Sequence, residues 1–149
     1  MAGEETKAPG GQPFSVQVIT PRGPVAEVET DAVTAPGKLG EFELLGGHLP
    51  FLTALRPGVL TLGESGETST FAVGAGFLRV DHEGSVEILV EEALAGDEID
   101  ADKARSELAD TKEELDVWDR ELDADYQRIQ YRHELASAQV EAHSRVTSR

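Results

Sequence analysis

The 149-residue sequence contains no cysteine, which excludes disulfide bonds, thiolate catalysis and zinc sites built on cysteine ligands. Basic residues are scarce: 13 Lys and Arg stand against 29 Asp and Glu, and the formal net charge is −16. A surface of this charge repels phosphate groups, which argues against nucleic acid as a partner and against direct docking on anionic lipid. The sequence also lacks any apolar run approaching the roughly 18 residues of a membrane-spanning helix.

The first 13 residues, MAGEETKAPGGQP, lack the basic flank and the apolar stretch of a secretory signal peptide. They are rich in Gly, Pro and charged side chains, which bury too little surface to offset the entropy of ordering the chain. The segment 1–13 is therefore predicted to be a disordered tail.

Glycine and proline disappear from the sequence after Gly96. All 15 glycines and all seven prolines lie at or before this position, and the last 53 residues contain neither. Because these residues mark turns and break helices, so abrupt a change indicates a domain boundary. We predict a β-domain over residues 14–96 and a helical domain over residues 97–149.

The first half consists of short runs with alternating apolar residues, separated by turn signals such as Pro36-Gly37, Gly46-Gly47 and Pro57-Gly58. Many short strands with regular turns are typical of an antiparallel sandwich or barrel. The fold class is therefore α+β, with a β-sandwich followed by an all-α tail. The predicted strands cover residues 14–20, 25–28, 32–35, 41–45, 51–55, 59–62, 68–73, 77–80 and 86–90.

The second half follows the three-and-four spacing of amphipathic helices. Asp100 is the predicted N-cap of the first helix. The spacing alone allows one long helix or a hairpin, but the aspartates between 116 and 125 favour a break, which we place at residues 119–124. The predicted apolar stripes are Leu108, Thr111, Leu115, Trp118 and Leu122, then Tyr126, Ile129, His133, Ala136 and Val140.

Signatures of catalysis are missing. The Gly74-Ala75-Gly76 segment has no third glycine and precedes a strand, so it is not a dinucleotide-binding loop. His48 lies in a Gly-Gly-His-Leu-Pro turn without an identifiable acid–base partner. His133 and His143, ten residues apart, do not share the helix face that a metal requires. The sequence therefore predicts a protein that is not an enzyme and has no metal.

Residues 35–58, APGKLGEFELLGGHLPFLTALRPG, resemble the signature of the epsilon subunit of F-type ATP synthases. The matching positions include Gly40-Glu41, Gly47-His48-Leu49-Pro50 and Pro57-Gly58. Two positions depart from the family pattern: Gly46 replaces its usual proline, and Glu43 replaces a frequent glycine. Further similarity at residues 71–80, 99–104 and 123–126 extends the resemblance over about residues 14–146.

The resemblance implies a ten-stranded β-sandwich followed by an antiparallel helical hairpin. It also implies a non-catalytic central-stalk subunit at the cytoplasmic face of the bacterial inner membrane, with the gamma subunit, the c-ring and the alpha and beta catalytic subunits as partners. Five residues would face the rotor: Gly40, Glu41, Phe42, Gly47 and His48. Glu41 and His48 are expected to be exposed turn residues whose removal changes stability by at most about 0.5 kcal/mol.

Some members of the family bind ATP at the start of the hairpin, which makes regulatory ATP the one cofactor that the resemblance suggests. The matching residues are Ile99, Asp100, Lys103 and Ala104. Lys103 replaces the usual arginine and lacks its planar, two-pronged donor geometry.

The hairpin is also the element with which the family restrains ATP hydrolysis. Residues 101–125 hold ten acidic and four basic side chains, whereas residues 126–149 hold two acidic and four basic ones. The basic terminal segment is expected to dock on the acidic first helix, to engage the beta subunit through Arg128 and Arg132, or to do both. The rival interpretation is a β-domain with a coiled-coil arm that acts as a structural or chaperone-like dimerisation module.

Overall fold

The computed structural model describes residues 12–63 and 68–147. Most of the predicted tail (1–11), residues 64–67 and the last two residues therefore lie outside the described part. The strands are β1 Phe14–Thr20, β2 Gly23–Thr30, β3 Ala32–Gly37, β4 Gly40–Leu45, β5 Phe51–Leu55, β6 Gly58–Leu62, β7 Ser69–Val73, β8 Gly76–Val80, β9 Val86–Val90 and β10 Ala93–Ala95. A 3-10 helix, Gly96–Glu98, precedes the helices α1 Ala101–Asp116 and α2 Ala124–Thr147.

The strands confirm the predicted ten-stranded β-sandwich, which the helical hairpin follows. Their order is β10-β7-β6-β3-β5-β8-β9-β1-β2, with β4 paired to the free part of β3. All pairs are antiparallel except β1 and β9, which run parallel. One layer thus contains β3, β4, β6, β7 and β10, and the other contains β5, β8, β9, β1 and β2.

Alternation along the strands directs one side chain in two into the core between the layers. Val16 and Val18 of β1 are fully buried, as are Leu78 of β8 and Ile88 of β9. The buried cluster includes residues from both layers, so the apolar alternation read from the sequence specifies the inner face of the sandwich.

The turn expected at Pro36-Gly37 is wrong by two residues, because both residues belong to β3 and the chain reverses at Lys38 and Leu39. Pro36 takes part in the pairing through its carbonyl oxygen, which accepts a hydrogen bond from Arg56 N at 2.9 Å. Gly40 has φ +143°, a conformation that side-chain-bearing residues rarely adopt, and it restarts the chain in β4.

Aspartates cap both helices. The Asp100 carboxylate accepts a hydrogen bond from Lys103 N at 3.1 Å, and Asp123 accepts one from Tyr126 N at 3.1 Å. The predicted break is present, with the connection at residues 117–123 rather than 119–124. Trp118 and Leu122 therefore lie in the connection and not on a helical stripe, because Asp123 starts α2 only after them.

The helix α2 packs on the outer face of β6 and β7. Ala138 and Ala142 are buried there against Val59 and Ala72, in a cluster separate from the core between the layers. Within the described part of the chain, neither helix is long and apolar enough to cross a membrane.

Candidate functional site

An apolar groove crosses the outer face of the layer that does not carry the hairpin. The strand register places Ala54, Phe77, Leu89 and Ile19 side by side on β5, β8, β9 and β1. Phe77 is 52% exposed and Leu89 is 41% exposed, although both lie in inner strands of the sheet. The groove has a volume of about 700 Å³. Three charged residues line it: Lys38, Arg56 and Glu91.

The turn at Gly40 lies at one end of this groove, because Lys38 belongs to both. Leu39 is fully exposed at the tip of the turn and Glu41 is exposed beside it. Phe42, in contrast, packs against the buried core and its ring lies close to Gly37, where a Cβ would come within 2.9 Å of it. The surface that this turn offers to a partner is therefore made by Leu39, Gly40 and Glu41.

The structure does not bring the Gly40 and His48 groups together. Gly40 begins β4 and Gly47-His48 follow its end, so the six-residue strand lies between them. At about 3.3 Å per residue, the two ends of this strand are separated by about 17 Å. One partner surface would have to span this distance to contact both groups.

His48 is a half-buried residue that connects two loops, which corrects the expectation that it is exposed. Its Nδ1 lies 2.5 Å from the Leu45 carbonyl oxygen, and its Nε2 lies 3.2 Å from that of Gly84. The ring also meets Phe14 edge-on, with centroids 4.8 Å apart. Both ring nitrogens face backbone oxygens, so the geometry indicates a structural role for this side chain.

The residues of the nucleotide motif lie at the start of α1 beside a pocket of about 600 Å³. Ile99 and Ala104 are buried in the interface between hairpin and sandwich, and Asp100 is occupied as the N-cap. Lys103 is exposed. The charged residues that line the pocket are Glu98, Asp100, Lys103, Glu107, Asp110 and Arg132. Four acids against two bases do not fit a triphosphate.

The seam between α1 and α2 is polar. Arg132 donates a hydrogen bond to Glu107 at 2.7 Å and lies 4.0 Å from Glu114. The hydrogen bond from Arg132 lowers the pKa of Glu107, and the same bond raises the pKa of Arg132. Next to it, the buried Thr111 hydroxyl lies 2.9 Å from His133 Nδ1. The helix α2 therefore docks on the acidic first helix, as the charge pattern suggested.

Arg128, the second predicted inhibitory residue, has a different environment. It pairs with Asp125 of the same helix rather than with α1. Of the two arginines, only Arg132 therefore contacts α1.

Tyr131 is a contact residue that the sequence analysis missed. Its hydroxyl donates to Glu91 Oε1 at 2.9 Å and accepts a hydrogen bond from Ala75 N at 3.2 Å. Burial, together with the bond to Glu91, raises the pKa of Tyr131 to about 12. The hint in the sequence was the Gly74-Ala75-Gly76 turn, whose lack of side chains leaves room for an incoming group.

The described residues contain no cluster of three or more His, Asp or Glu side chains arranged to hold a metal ion. The features with potential for function are surfaces: an apolar groove, an exposed turn and a docked hairpin. Such a molecule belongs to the class of β-sandwich binding subunits with a helical appendage.

Comparison with known proteins identifies the family. The family model for the β-sandwich domain of the ATP synthase delta/epsilon chain matches residues 13–96. The ATP synthase epsilon chain of Geotalea daltonii is 41% identical over 102 residues, which cover 68% of this chain and 73% of the relative. That of Anaeromyxobacter dehalogenans is 42% identical over 102 residues, covering 68% and 76%. This chain therefore belongs to the ATP synthase epsilon-chain family, whose members are non-catalytic subunits of the central stalk.

Solved structures share the fold. A chain in the cryo-EM structure of the Euglena gracilis mitochondrial ATP synthase (OSCP/F1/c-ring) superposes with a TM-score of 0.73 at 23% identity, covering 87% of this chain and 80% of that one. A chain of the Tetrahymena thermophila mitochondrial ATP synthase (central stalk/c-ring) gives a TM-score of 0.57 at 20% identity, covering 91% and 97%. The architecture of sandwich plus hairpin is thus found in distant ATP synthases.

Proposed function

We propose that this subunit binds the gamma subunit through the apolar groove and contacts the c-ring through the turn at Gly40. The sandwich, residues 14–96, would couple these rotor parts, and the hairpin, residues 97–149, would regulate. The complex would place the chain at the cytoplasmic face of a bacterial inner membrane, attached only through its partners. The observation that carries this proposal is the exposure of Phe77 and Leu89 in inner strands of the sheet.

Exposed apolar side chains in a contiguous row are costly in water unless a partner covers them. In this row Phe77 and Leu89 are exposed and Ile19 and Ala54 are half-buried, in a chain whose net charge is −16. An aromatic residue at the centre, with charges only at the rim, is the usual arrangement of a protein interface. A long apolar or mixed surface such as a helical stalk fits this groove better than a small polar ligand.

Replacing Phe77 with serine tests the groove. Because Phe77 lies at its centre, we expect binding to the gamma subunit to weaken at least about tenfold, as for interface hot spots. Leu122→Ser is the control, since Leu122 is also a large, exposed apolar residue (70% exposed) but lies in the connection between the helices. Equal binding by wild type and Phe77→Ser, measured by calorimetry on folded proteins, would refute the assignment.

The turn at Gly40 is assigned to the c-ring because its exposed residues, Leu39 and Glu41, project at the end of the sandwich. His48 and Gly47 lie at the other end and would face a different surface. The Glu41→Ala variant should retain its melting temperature and its binding to gamma, while its attachment to isolated c-rings weakens. Unchanged attachment would show that the contact lies elsewhere.

We further infer that the hairpin restrains ATP hydrolysis when it leaves the sandwich. If α2 also separates from α1, the Arg132–Glu107 hydrogen bond breaks and Arg132 is freed, while Arg128 moves with its partner Asp125. Both arginines could then engage an acidic segment of the beta subunit, in a manner that weakens with salt.

Truncation after Asp125 should raise the rate of ATP hydrolysis by the assembled complex. The double variant Arg128→Glu, Arg132→Glu should raise it partially, with Arg105→Glu on α1 as the control. If truncation leaves hydrolysis unchanged in complexes that retain the subunit, the hairpin has no inhibitory role.

The alternative function, a dimerisation module, requires a helical stripe that is free to pair with a second chain. Here Ala138 and Ala142 of α2 are buried against the chain's own sandwich, and Ala136 is also buried. This packing favours the monomeric stalk subunit over a coiled-coil dimer.

A further inference from the structure

Tyr131 connects the hairpin to two turns of the sandwich at once. Its hydroxyl accepts from Ala75 N in the turn between β7 and β8, and it donates to Glu91 in the turn between β9 and β10. The two turns are also joined by backbone hydrogen bonds, Gly74 N to Glu92 O at 2.9 Å and Glu91 N to Ala75 O at 3.0 Å. One side chain of α2 thus completes a small network that spans both layers.

The fit around the hydroxyl depends on Gly74. A Cβ at this position would collide with Tyr131 Oη and would also approach Glu92 Cγ to 3.2 Å. The turn at Gly74 and Ala75 therefore has room for the hydroxyl, and we call it the socket. The hydroxyl fills the socket when the hairpin is docked.

The two residues that hold the hydroxyl also belong to the apolar groove. Ala75 and Glu91 line the groove, together with Gly76 and Phe77. The hairpin itself packs on β6 and β7 of the other layer. Tyr131 therefore contacts the edge of the groove, whereas the rest of α2 packs on the other layer.

We propose that Tyr131 is a positioning residue through which hairpin docking orders the edge of the groove and strengthens binding of the gamma subunit there. This inference rests on the proposed function, which assigns the groove to gamma. When the hydroxyl is in its socket, the Ala75 amide and the Glu91 carboxylate are fixed, so gamma meets an ordered edge and loses less entropy on binding. By linkage, bound gamma favours the docked hairpin to the same extent.

The test uses the full chain with Tyr131→Phe, which removes the hydroxyl and keeps the ring. Tyr126→Phe is the matched control, because Tyr126 is the other tyrosine of the chain and its ring meets Trp118 edge-on rather than contacting the sandwich. Gly74→Ala is a second variant that fills the socket from the opposite side. Amide hydrogen exchange at Ala75 reports the contact, and calorimetric titration with purified gamma reports the coupling.

Loss of one hydrogen bond corresponds to about a fivefold change in an equilibrium constant. We therefore expect the Ala75 amide to exchange about fivefold faster in Tyr131→Phe and in Gly74→Ala, and gamma to bind about fivefold more weakly. Bound gamma should slow exchange at Ala75 in the wild type more than in either variant. The Tyr126→Phe control should match the wild type in both measurements.

The outcomes separate this inference from the proposed function. If wild type binds gamma and both variants bind it equally well, the coupling is refuted while the function stands. If Ala75 exchange is unchanged in the variants, the contact does not hold the turn and the inference fails. If wild type does not bind gamma, or if Phe77→Ser binds it as well as wild type does, the assignment of the groove falls and the coupling falls with it.

Discussion

Replacing His48 with alanine is expected to destabilise the sandwich, although His48 lies in a loop. The imidazole meets Phe14 edge-on at 4.8 Å, and its nitrogens face the carbonyl oxygens of Leu45 and Gly84. The side chain thereby holds the loop between β4 and β5 against the turn between β8 and β9. Alanine would remove all three contacts.

The magnitude follows from these contacts. A neutral imidazole carries one N–H, so it donates one of the two hydrogen bonds at a time. Such a bond contributes about 1 kcal/mol, and an edge-to-face aromatic pair contributes about 1 kcal/mol more. A loss of about 2 kcal/mol in the free energy of unfolding corresponds to a decrease of about 8 °C in Tm for a domain of this size.

Scanning calorimetry at neutral pH measures this loss. His48→Phe should recover about half of it, because the aromatic contact is kept while the N–H is lost. Glu41→Ala is the control, since this exposed side chain should change the free energy of unfolding by less than about 0.5 kcal/mol. A Tm for His48→Ala within about 2 °C of wild type would refute the structural role and leave His48 available as a contact residue.

Two further predictions concern the hairpin. The pKa of Tyr131 is raised to about 12 by burial and by Glu91, with Glu92 nearby, so docking favours the neutral phenol. The contribution of the neutral phenol to the stability of the docked state is complete below the ordinary tyrosine pKa of about 10. It is lost as the pH rises from about 10 to 12. Hydrogen exchange should detect undocking in that range in wild type, and a pH dependence equal to that of Tyr131→Phe would contradict it. Saturating MgATP should leave Tm unchanged, because acids predominate around Lys103 and Arg132. A ligand at 100 times its Kd would add about 2.7 kcal/mol to the free energy of unfolding. A rise of several degrees in Tm would therefore show that this pocket binds the nucleotide.

The sequence predicted the local structure correctly where residue types typical of turns and helix caps occur. The Gly46-Gly47 turn, the Asp100 cap and the aspartate-rich break lie where the residue types predicted, within two residues. The residue pattern located nine of the ten strands and missed β10, Ala93–Ala95, because three residues carry too little alternation to distinguish a strand. Its assignment depends on pairing with β7, which is a long-range contact.

The grouping of candidate site residues could not be read from the sequence. Gly40 and His48 are close in sequence, yet the extended strand between them places them at opposite ends of the sandwich. Conversely, the groove combines Ile19, Ala54, Phe77 and Leu89 from four strands. Tyr131 and Ala75 are likewise 56 residues apart along the chain. Such sites depend on strand order and register, which single-sequence patterns leave open.

The composition of the docking interface explains how the hairpin can be ordered and yet releasable, as the proposed regulation requires. The buried residues of the two helices here are small, Ala104, Ala138 and Ala142, so each buries only about one methyl group. The backbones of α2 and the sandwich approach each other closely at Gly96. A Cβ at this position would stand 2.8 Å from the Ala142 carbonyl oxygen, so only glycine permits this spacing. An interface of small residues gains little from apolar burial, and directional contacts such as the two hydrogen bonds of Tyr131 supply a larger share of its free energy. Loss of a few hydrogen bonds can then shift the balance between docked and released states, which a large apolar core would resist.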